Sequence, residues 1–474
     1  MTSSPVNIHP GRTPSLPAGP RLLARALSGQ PLRENSAEFM LTNARRFGDL
    51  VHYRALGRDI YQLNHPDLIS DMLTRDAPHH HRNLVMQRAR DVLGTGLLTS
   101  EEPLHMRQRR LAQPAFLRER ISSYAEVIGT QTLALSSRWR PGTTDLHPAM
   151  LELALRIVGK CLFDLDHLEG IDEMASAVDA FMSFVPLSFL PFSAQIQRLP
   201  IPAMRRLRRG KAHLDRLIYG MIAERRADPT DRGDLLSMLL NATDTEPDPT
   251  PATAAATHSA SMSDQQLHDE CVTIILAGHE TTANALSFAL HLLALHPETH
   301  AQLHAEACAV LGPDPTRIPS AADYPRLPLA TQVFAEAMRL YPPVWVTART
   351  CLTPYTIAGY PIPAGAQLLA PQFAVHRDPR FFTDPDRFDP ARFTAEAKST
   401  RPRNSYFPFG GGSRQCIAEG LAWMEGTLVL ALIARDWQLS LPSGVPRDPA
   451  LKPAVSLRPA KGIPIHLARW PSTA

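Results

Sequence analysis

What this sequence lacks narrows its class before any motif is read. Cysteine is scarce: Cys161, Cys271, Cys308, Cys351 and Cys416 are the only five in 474 residues. They are odd in number, widely spread and never in a CxxC pair, which argues against a disulfide framework or a structural zinc site and points to a reducing cytoplasm. No apolar run approaches the roughly 20 residues that cross a bilayer. The longest, LVLALIA at 428–434, reads as part of a buried helix. The start, MTSSPVNIHPGRTPSLPAGPRLL, has no basic end followed by an apolar core, so neither a signal peptide nor a membrane anchor is expected. Net charge is nearly absent, +3 from 49 basic and 46 acidic side chains. No global field therefore draws the protein to nucleic acid, and an electrostatic partner must use a local patch. A nucleotide-binding glycine fingerprint beside a βαβ unit is missing, as is any internal repeat.

What is present is a soluble globular composition, with 44% hydrophobic and 20% charged residues. Residues 1–35 read as a proline-rich arm and 36–474 as a single domain. Two short runs, LVHYRA and DIYQL, flank Leu56-Gly57-Arg58 and read as a hairpin, with a helix following from Pro66. Residues 355–370, punctuated by Gly359, Pro361, Pro363 and Gly365, form a second β-rich patch. Nearly everything else with a period is helical, so the fold class is mainly α with small β-sheets. The 241–262 stretch, rich in Thr, Ala, Pro and Asp, reads as a flexible surface loop. After it, Ser263 and Gln266 form a capping box, and a helical pattern with Gly278 as its one glycine runs until Pro297. At 1.5 Å per residue this helix spans about 50 Å, the length of a central pillar.

Four motifs carry chemistry. In FPFGGGSRQCIAEGLAWMEGTLVLALIARDW, three glycines permit backbone angles closed to other residues and an apolar helix follows Cys416. A cysteine at a positive helix end is favoured as thiolate, although a lone cysteine otherwise reads as a small buried hydrophobe. In VFAEAMRLYPP, Glu336 and Arg339 share a helix face and can pair, by themselves no more than a surface ion pair, and FTDPDRFDPARF downstream offers Arg387. On the pillar, LAGHETTANAL removes side-chain bulk at Ala277 and Gly278 and sets Glu280 beside Thr281; on an arbitrary helix this signifies a kink or close packing. In LHMRQRRLAQPAF, His105 and Arg109 share a face, with a solvated basic face as the alternative for Arg107, Arg109 and Arg110. His279 reads as a packing residue, and the run His79 to His81, without carboxylates beside it, as loop.

Together and in this order the motifs resemble the cytochrome P450 family, soluble bacterial type, over residues 41–469. The family signature is a Phe, two residues, a Gly, three residues and the haem-ligating Cys, matched by Phe409, Gly412 and Cys416. The resemblance implies a long central helix over haem b (iron protoporphyrin IX) and a cysteine loop beneath it. It implies Cys416 as the iron ligand, and His105, Arg109, Arg349 and Arg414 as contacts to the haem propionates. Glu336, Arg339 and Arg387 would form a buried triad that locks the meander before the cysteine loop. Ala277 and Gly278 would leave room for dioxygen, Thr281 would hydrogen-bond it, and Glu280 would help deliver protons. Ala418 stands where the family usually has Gly, and its methyl is expected to tighten packing beside the cysteine.

The implied reaction inserts one oxygen atom from O2 into a C–H or C=C bond of a small apolar substrate, terpenoid, steroid-like or fatty acyl. The second atom leaves as water. Electrons are expected from NAD(P)H through a separate ferredoxin or flavodoxin and its reductase, since no reductase follows Ala474; Arg107 to Arg110 would be the docking patch. Substrate contacts are expected at 81–101, around FMSFVPLSFLPF with Phe181, Phe184, Phe189 and Phe192, on the pillar before Ala277, and after Pro343. A cytoplasmic monomer is expected. Two alternatives stay open at this point: a peroxygenase or isomerase on the same fold, against which the Glu280-Thr281 pair speaks, and a non-catalytic haem-thiolate ligand binder.

Overall fold

A computed structural model describes residues 16–20, 35–55, 57–165, 202–228, 230–244 and 261–471. Most of the proline-rich arm, most of the 241–262 loop, and Phe181, Phe184, Phe189 and Phe192 lie outside the described residues. Helices dominate and the sheets are small. The chain forms two compact units that interleave along the sequence. One comprises Met1–Leu84, Arg339–Phe388 and Ala395–Cys416; the other comprises Val85–Met338, Asp389–Thr394 and Ile417–Ala474.

The first unit is built on a five-stranded mixed sheet. Leu50–Ala55 and Arg58–Leu63 form the expected hairpin, with Leu50 opposite Leu63 and Ala55 opposite Arg58. Arg58–Leu63 then pairs in parallel with Gln367–Ala370, which pairs antiparallel with Thr347–Cys351, and this in turn with His80–Arg82. The last strand corrects the loop reading of the histidine run: its backbone supplies bonds to Arg349, Thr350 and Cys351 at the sheet edge. His80 also meets the Tyr355 hydroxyl at 2.7 Å, and no cluster of His, Cys, Asp or Glu among the described residues is placed to hold a metal ion. Alternating side chains of the sheet bury Tyr61, Leu63, Leu368 and Ala370 in one apolar cluster with Ile69, Met72, Leu73 and Phe407. Ile69, Met72 and Leu73 come from helix Pro66–Leu73, started by a proline in its first turn and capped by His65.

Arg339 closes this unit from within. Fully buried, its guanidinium donates to the carbonyls of His376 at 2.9 Å, Pro385 at 2.6 Å and Arg387 at 3.0 Å. Bonds from a charged donor contribute about 1.5–3 kcal/mol each, so one side chain fixes the path of the 376–387 meander.

The second unit is helical around Asp264–Leu295, whose Ser263 and Gln266 form both halves of the expected capping box. This 32-residue helix packs against Leu146–Phe163 and Glu419–Asp436, all three strongly apolar on the faces that meet. Beside them lie a three-stranded sheet in the order Gly142–Asp145, Pro464–Arg469, Trp437–Ser440 and a hairpin of Leu451–Pro453 with Leu457–Pro459. Among the described residues no helix is long and apolar enough to cross a membrane.

Within Glu419–Asp436, Glu425 is buried among apolar side chains, and burial pushes its carboxyl up from 4.5 to about 8. A carboxyl raised in the folded state costs stability as pH climbs through that interval, because the unfolded chain ionises first. Glu425→Gln is therefore expected to be more stable than the parent by a margin that grows between pH 5 and pH 8, on the order of 4 kcal/mol at the upper end. Denaturant unfolding at the two pH values checks this; a margin independent of pH contradicts it.

Candidate active site

The cysteine loop belongs to the first unit and is seated in its core. Phe407 lies in the apolar cluster, and its backbone N–H donates to His376 Nε2 at 3.0 Å. Because the His376 carbonyl is one of those held by Arg339, the buried guanidinium and the loop are joined through a single residue. Gly410 and Gly412 have φ of 72° and 69°, open to glycine at little cost. Gly412 also presses on the chain at the end of helix Pro66–Leu73, where a Cβ would collide with the Leu73 carbonyl oxygen. The Cys416 N–H donates to the Phe409 carbonyl at 2.9 Å and closes the loop.

Two turn residues, Ile417 and Ala418, follow Cys416 before helix Glu419–Asp436 begins, so the helix starts slightly later than the sequence predicts. Ala418 caps it at φ −94°, ψ 18°, angles open to any L-residue, and the missing glycine distorts nothing. Of the five cysteines, Cys161, Cys271 and Cys351 are buried, Cys308 is half-buried and Cys416 is exposed. Phe409, Arg414 and Arg349 are half-buried in the same unit, with the Arg349 guanidinium donating to the Ala348 carbonyl at 3.0 Å.

One member of the expected triad needs correcting. Glu336 is fully buried in the second unit and accepts from the Asp389 N–H at 2.9 Å, and the guanidinium facing it, at 3.5 Å, is that of Arg392. Arg387 is exposed and contributes its backbone carbonyl to Arg339. The reason is local: Asp389 caps a one-turn helix, Pro390–Phe393, that turns Arg392 inward, whereas Arg387 ends an exposed turn. An Asp-Pro pair stands at the same spacing before both Arg387 and Arg392, so the local sequence carries no signal that separates them.

In the second unit the pillar helix is buried on nearly all sides except at one opening. Ala277 is exposed, and Leu276, Gly278 and Thr281 are half-buried. Ala277 and Thr281 lie four apart on one face, and the Thr281 hydroxyl donates to the Ala277 carbonyl at 2.6 Å. Glu280 points away from this face, as an adjacent helical position must; its carboxylate lies 3.4 Å from Arg458 on strand Leu457–Pro459, which the sequence did not signal. His279 is buried, and burial lowers it to about 4 against the opposing effect of the nearby Leu151 backbone, in keeping with a packing role. His105 is buried with Nδ1 at 2.8 Å from Glu102 Oε1, and Arg109 is half-buried one turn on. Arg107 and Arg110 do not present a bare basic patch: both face the Asp244 carboxylate, at 3.4 and 3.0 Å.

Taken separately, the first unit carries an exposed thiol on a well-held loop that also bears Arg414, and the second carries exposed Ala277 on the pillar helix and, on another helix, His105 and Arg109. The cytochrome P450 family model matches residues 14–466. Cyclooctatin synthase of Streptomyces melanosporofaciens is 37% identical over 88% of this chain and 88% of that protein. Cyclooctat-9-en-7-ol 5-monooxygenase of the same organism is 34% identical, covering 83% of each chain. Pentalenene oxygenase of Streptomyces avermitilis is 34% identical over 83% of this chain and 85% of its own. Among solved structures, the cytochrome P450DA heme domain has a TM-score of 0.78 at 26% identity, covering 92% of this chain and 93% of that one.

The chain belongs to the cytochrome P450 family. It is a haem-thiolate monooxygenase with haem b as cofactor, using dioxygen, an organic substrate and redox partners. The mainly α fold, the haem and the reaction class expected from the motifs are borne out.

The corrected triad has a direct test. Arg392→Ala strands the buried Glu336 carboxylate and is expected to cost about 3–5 kcal/mol, while Arg387→Ala should stay within about 0.5 kcal/mol. Thermal unfolding with haem retention as the readout separates them; equal losses contradict the assignment.

Proposed function

We propose that this monooxygenase oxidises a polycyclic terpenoid, and that residues 36–474 form one catalytic domain acting as a cytoplasmic monomer. The observation that carries the substrate class is the trio of relatives named for cyclooctatin, cyclooctat-9-en-7-ol and pentalenene, each aligned over more than four-fifths of the chain. The pillar opening supports it, since Leu276 and Ala277 present a small apolar surface with no charge; Gly278, expected to add room there, instead packs closely on Val158.

In this reading Cys416 would hold the haem iron through its thiolate, and haem so held would supply the cleavage of dioxygen. The 409–416 loop holds the sulfur in place: with Phe407 in the core, Gly412 on Leu73 and Cys416 N–H on Phe409, it has little freedom to move. His105, Arg109, Arg349 and Arg414 would be the residues to hold the propionates. Ala277 keeps the opening clear, and Thr281, whose hydroxyl proton is engaged by the Ala277 carbonyl, turns its oxygen lone pairs outward as an acceptor. Glu280, the residue beside Thr281 in sequence, turns its carboxylate to Arg458, so a part for it in proton delivery would need that carboxylate to leave Arg458. Electrons come from a ferredoxin or flavodoxin with its NAD(P)H reductase. The Asp244 contacts leave Arg107 and Arg110 a weaker docking site than their sequence suggests.

The test is a panel of terpene hydrocarbons and alcohols, steroids and fatty acids, screened for a spin-state shift of the haem. Hits are then turned over with a surrogate redox pair under 18O2. A cyclic terpenoid is expected to shift the spectrum and gain one 18O atom, with NAD(P)H consumed; response only to fatty acids or steroids overturns the substrate class.

A further inference from the structure

A polar cluster on the pillar helix, upstream of the opening, remains without a role in this account. Asp269, Thr273 and Ala277 are spaced four apart and so follow one face of the helix. The backbone of the 94–97 segment lies on that face. Thr95 N–H donates to Asp269 Oδ2 at 2.7 Å, and Leu97 N–H donates to Glu270 Oε2 at 2.9 Å. The approach is close because the segment is glycine-rich: a Cβ on Gly94 would collide with the Asp269 carboxylate, and one on Gly96 with the Thr273 hydroxyl. Thr273, against which Gly96 lies, stands four residues, about 6 Å of helical rise, before exposed Ala277. The segment's other ties are shorter in reach: Gln108 donates to the Thr95 carbonyl at 2.6 Å, and the Thr99 hydroxyl to the Gly94 carbonyl at 2.7 Å.

The same carboxylate is tied to a third element. His268, buried, sets Nδ1 at 3.1 Å from Asp269 Oδ1 and Nε2 at 2.9 Å from Asp215 Oδ1 on helix Pro202–Ala227. Each ring nitrogen of His268 thus faces one carboxylate, and the ring bridges the two helices. Lys211 anchors the far carboxylate at 2.9 Å, Gln265 donates to Asp269 at 2.8 Å, and Tyr219 of the same outer helix stacks on the His268 ring with centroids 4.6 Å apart.

We propose that Asp269 and Glu270 are positioning residues that latch the 94–97 segment along the opening at Ala277. We further infer that the Asp215-His268 bridge makes the position of this chamber wall depend on helix Pro202–Ala227. Burial pushes the Glu270 carboxyl up to about 8, whereas Asp269 is held below the ordinary carboxylate range: burial works to raise it, and the bonds from His268, Thr95 and Gln265 outweigh that. The two acids thus differ in kind. Asp269 is the charged clamp, and Glu270, largely uncharged at neutral pH, is a hydrogen-bond acceptor. The inference rests on the reading of the Ala277 opening as the reaction chamber.

The experiment uses the haem-loaded enzyme and two volume-conserving variants, Asp269→Asn and His268→Phe, without substrate. Deuterium exchange over 94–100 is expected to rise about tenfold or more in both, as the loss of a charge-assisted bond worth 1.5 kcal/mol or more requires. In His268→Phe the rise should extend to 202–226, and in neither should it reach 281–295. Association of 4-phenylimidazole, a bulky haem-binding probe, should accelerate in step, while carbon monoxide association stays the same. Unchanged exchange at 94–100, or a rise spread over the whole chain, overturns the latch. Local opening without faster azole association overturns its role as chamber wall. Ala277→Phe separates a failure of the underlying reading: if this substitution leaves azole binding intact, the opening is not the chamber, whatever the latch variants do.

Discussion

A guanidinium removed from water is costly unless its donors are used, and Arg339 uses them on three backbone carbonyls of one meander. That arrangement has consequences beyond the meander. His376, whose carbonyl it holds, turns its ring to the backbone of Phe407, and Phe407 is both the start of the cysteine loop and a member of the apolar core. The loop is pinned a second time where Gly412 meets the Leu73 carbonyl. A thiolate ligand must be held at a fixed point while its surroundings change charge. In the proposed reading the loop that carries Cys416 is held by a buried cation, through His376, and by a core aromatic, Phe407.

The second unit solves a different problem: keeping a gap open in a closely packed interior. A helix of 32 residues, clasped by two other apolar helices, holds Ala277 exposed, whereas at Gly278 the volume a side chain would need is taken by Val158 of helix Leu146–Phe163. Polar groups are placed around that gap by helical spacing. Thr281 falls on the open face, Glu280 turns to Arg458, and Asp269 and Glu270 face the incoming 94–97 segment. Successive residues of one helix thereby serve separate tasks, because each step of 100° points to a different neighbour.

Much of this could be read from the sequence, for identifiable reasons. The hairpin at 50–63, the capping box at Ser263 and the pillar that follows rest on local periodicity and caps, which need no distant partner. Cys416, Thr281 and Glu336 stand out as candidates because their motifs are contiguous. Arg387 was mistaken for Arg392 because two arginines five apart differ only in the turn that carries them, and the Asp389 cap decides which points inward. The histidine run joins the sheet through a strand some 270 residues away, and Asp244 quenches Arg107 and Arg110 from a segment with no pattern of its own. The Asp269 clamp was invisible for the same reason: nothing in one stretch of sequence says which backbone will lie against it. Ala418 was a departure from pattern that the backbone absorbs without strain.

The central claim is that one exposed cysteine, held by the Arg339-His376-Phe407 chain, binds the iron. Iron K-edge X-ray absorption of the purified enzyme tests it most directly, with Cys416→Ser and the four other single Cys→Ser variants alongside. The account predicts one sulfur neighbour of iron in the parent, retained when Cys161, Cys271, Cys308 or Cys351 is replaced and lost in Cys416→Ser. Sulfur that survives in Cys416→Ser, or a parent iron bound by nitrogen and oxygen alone, would contradict it.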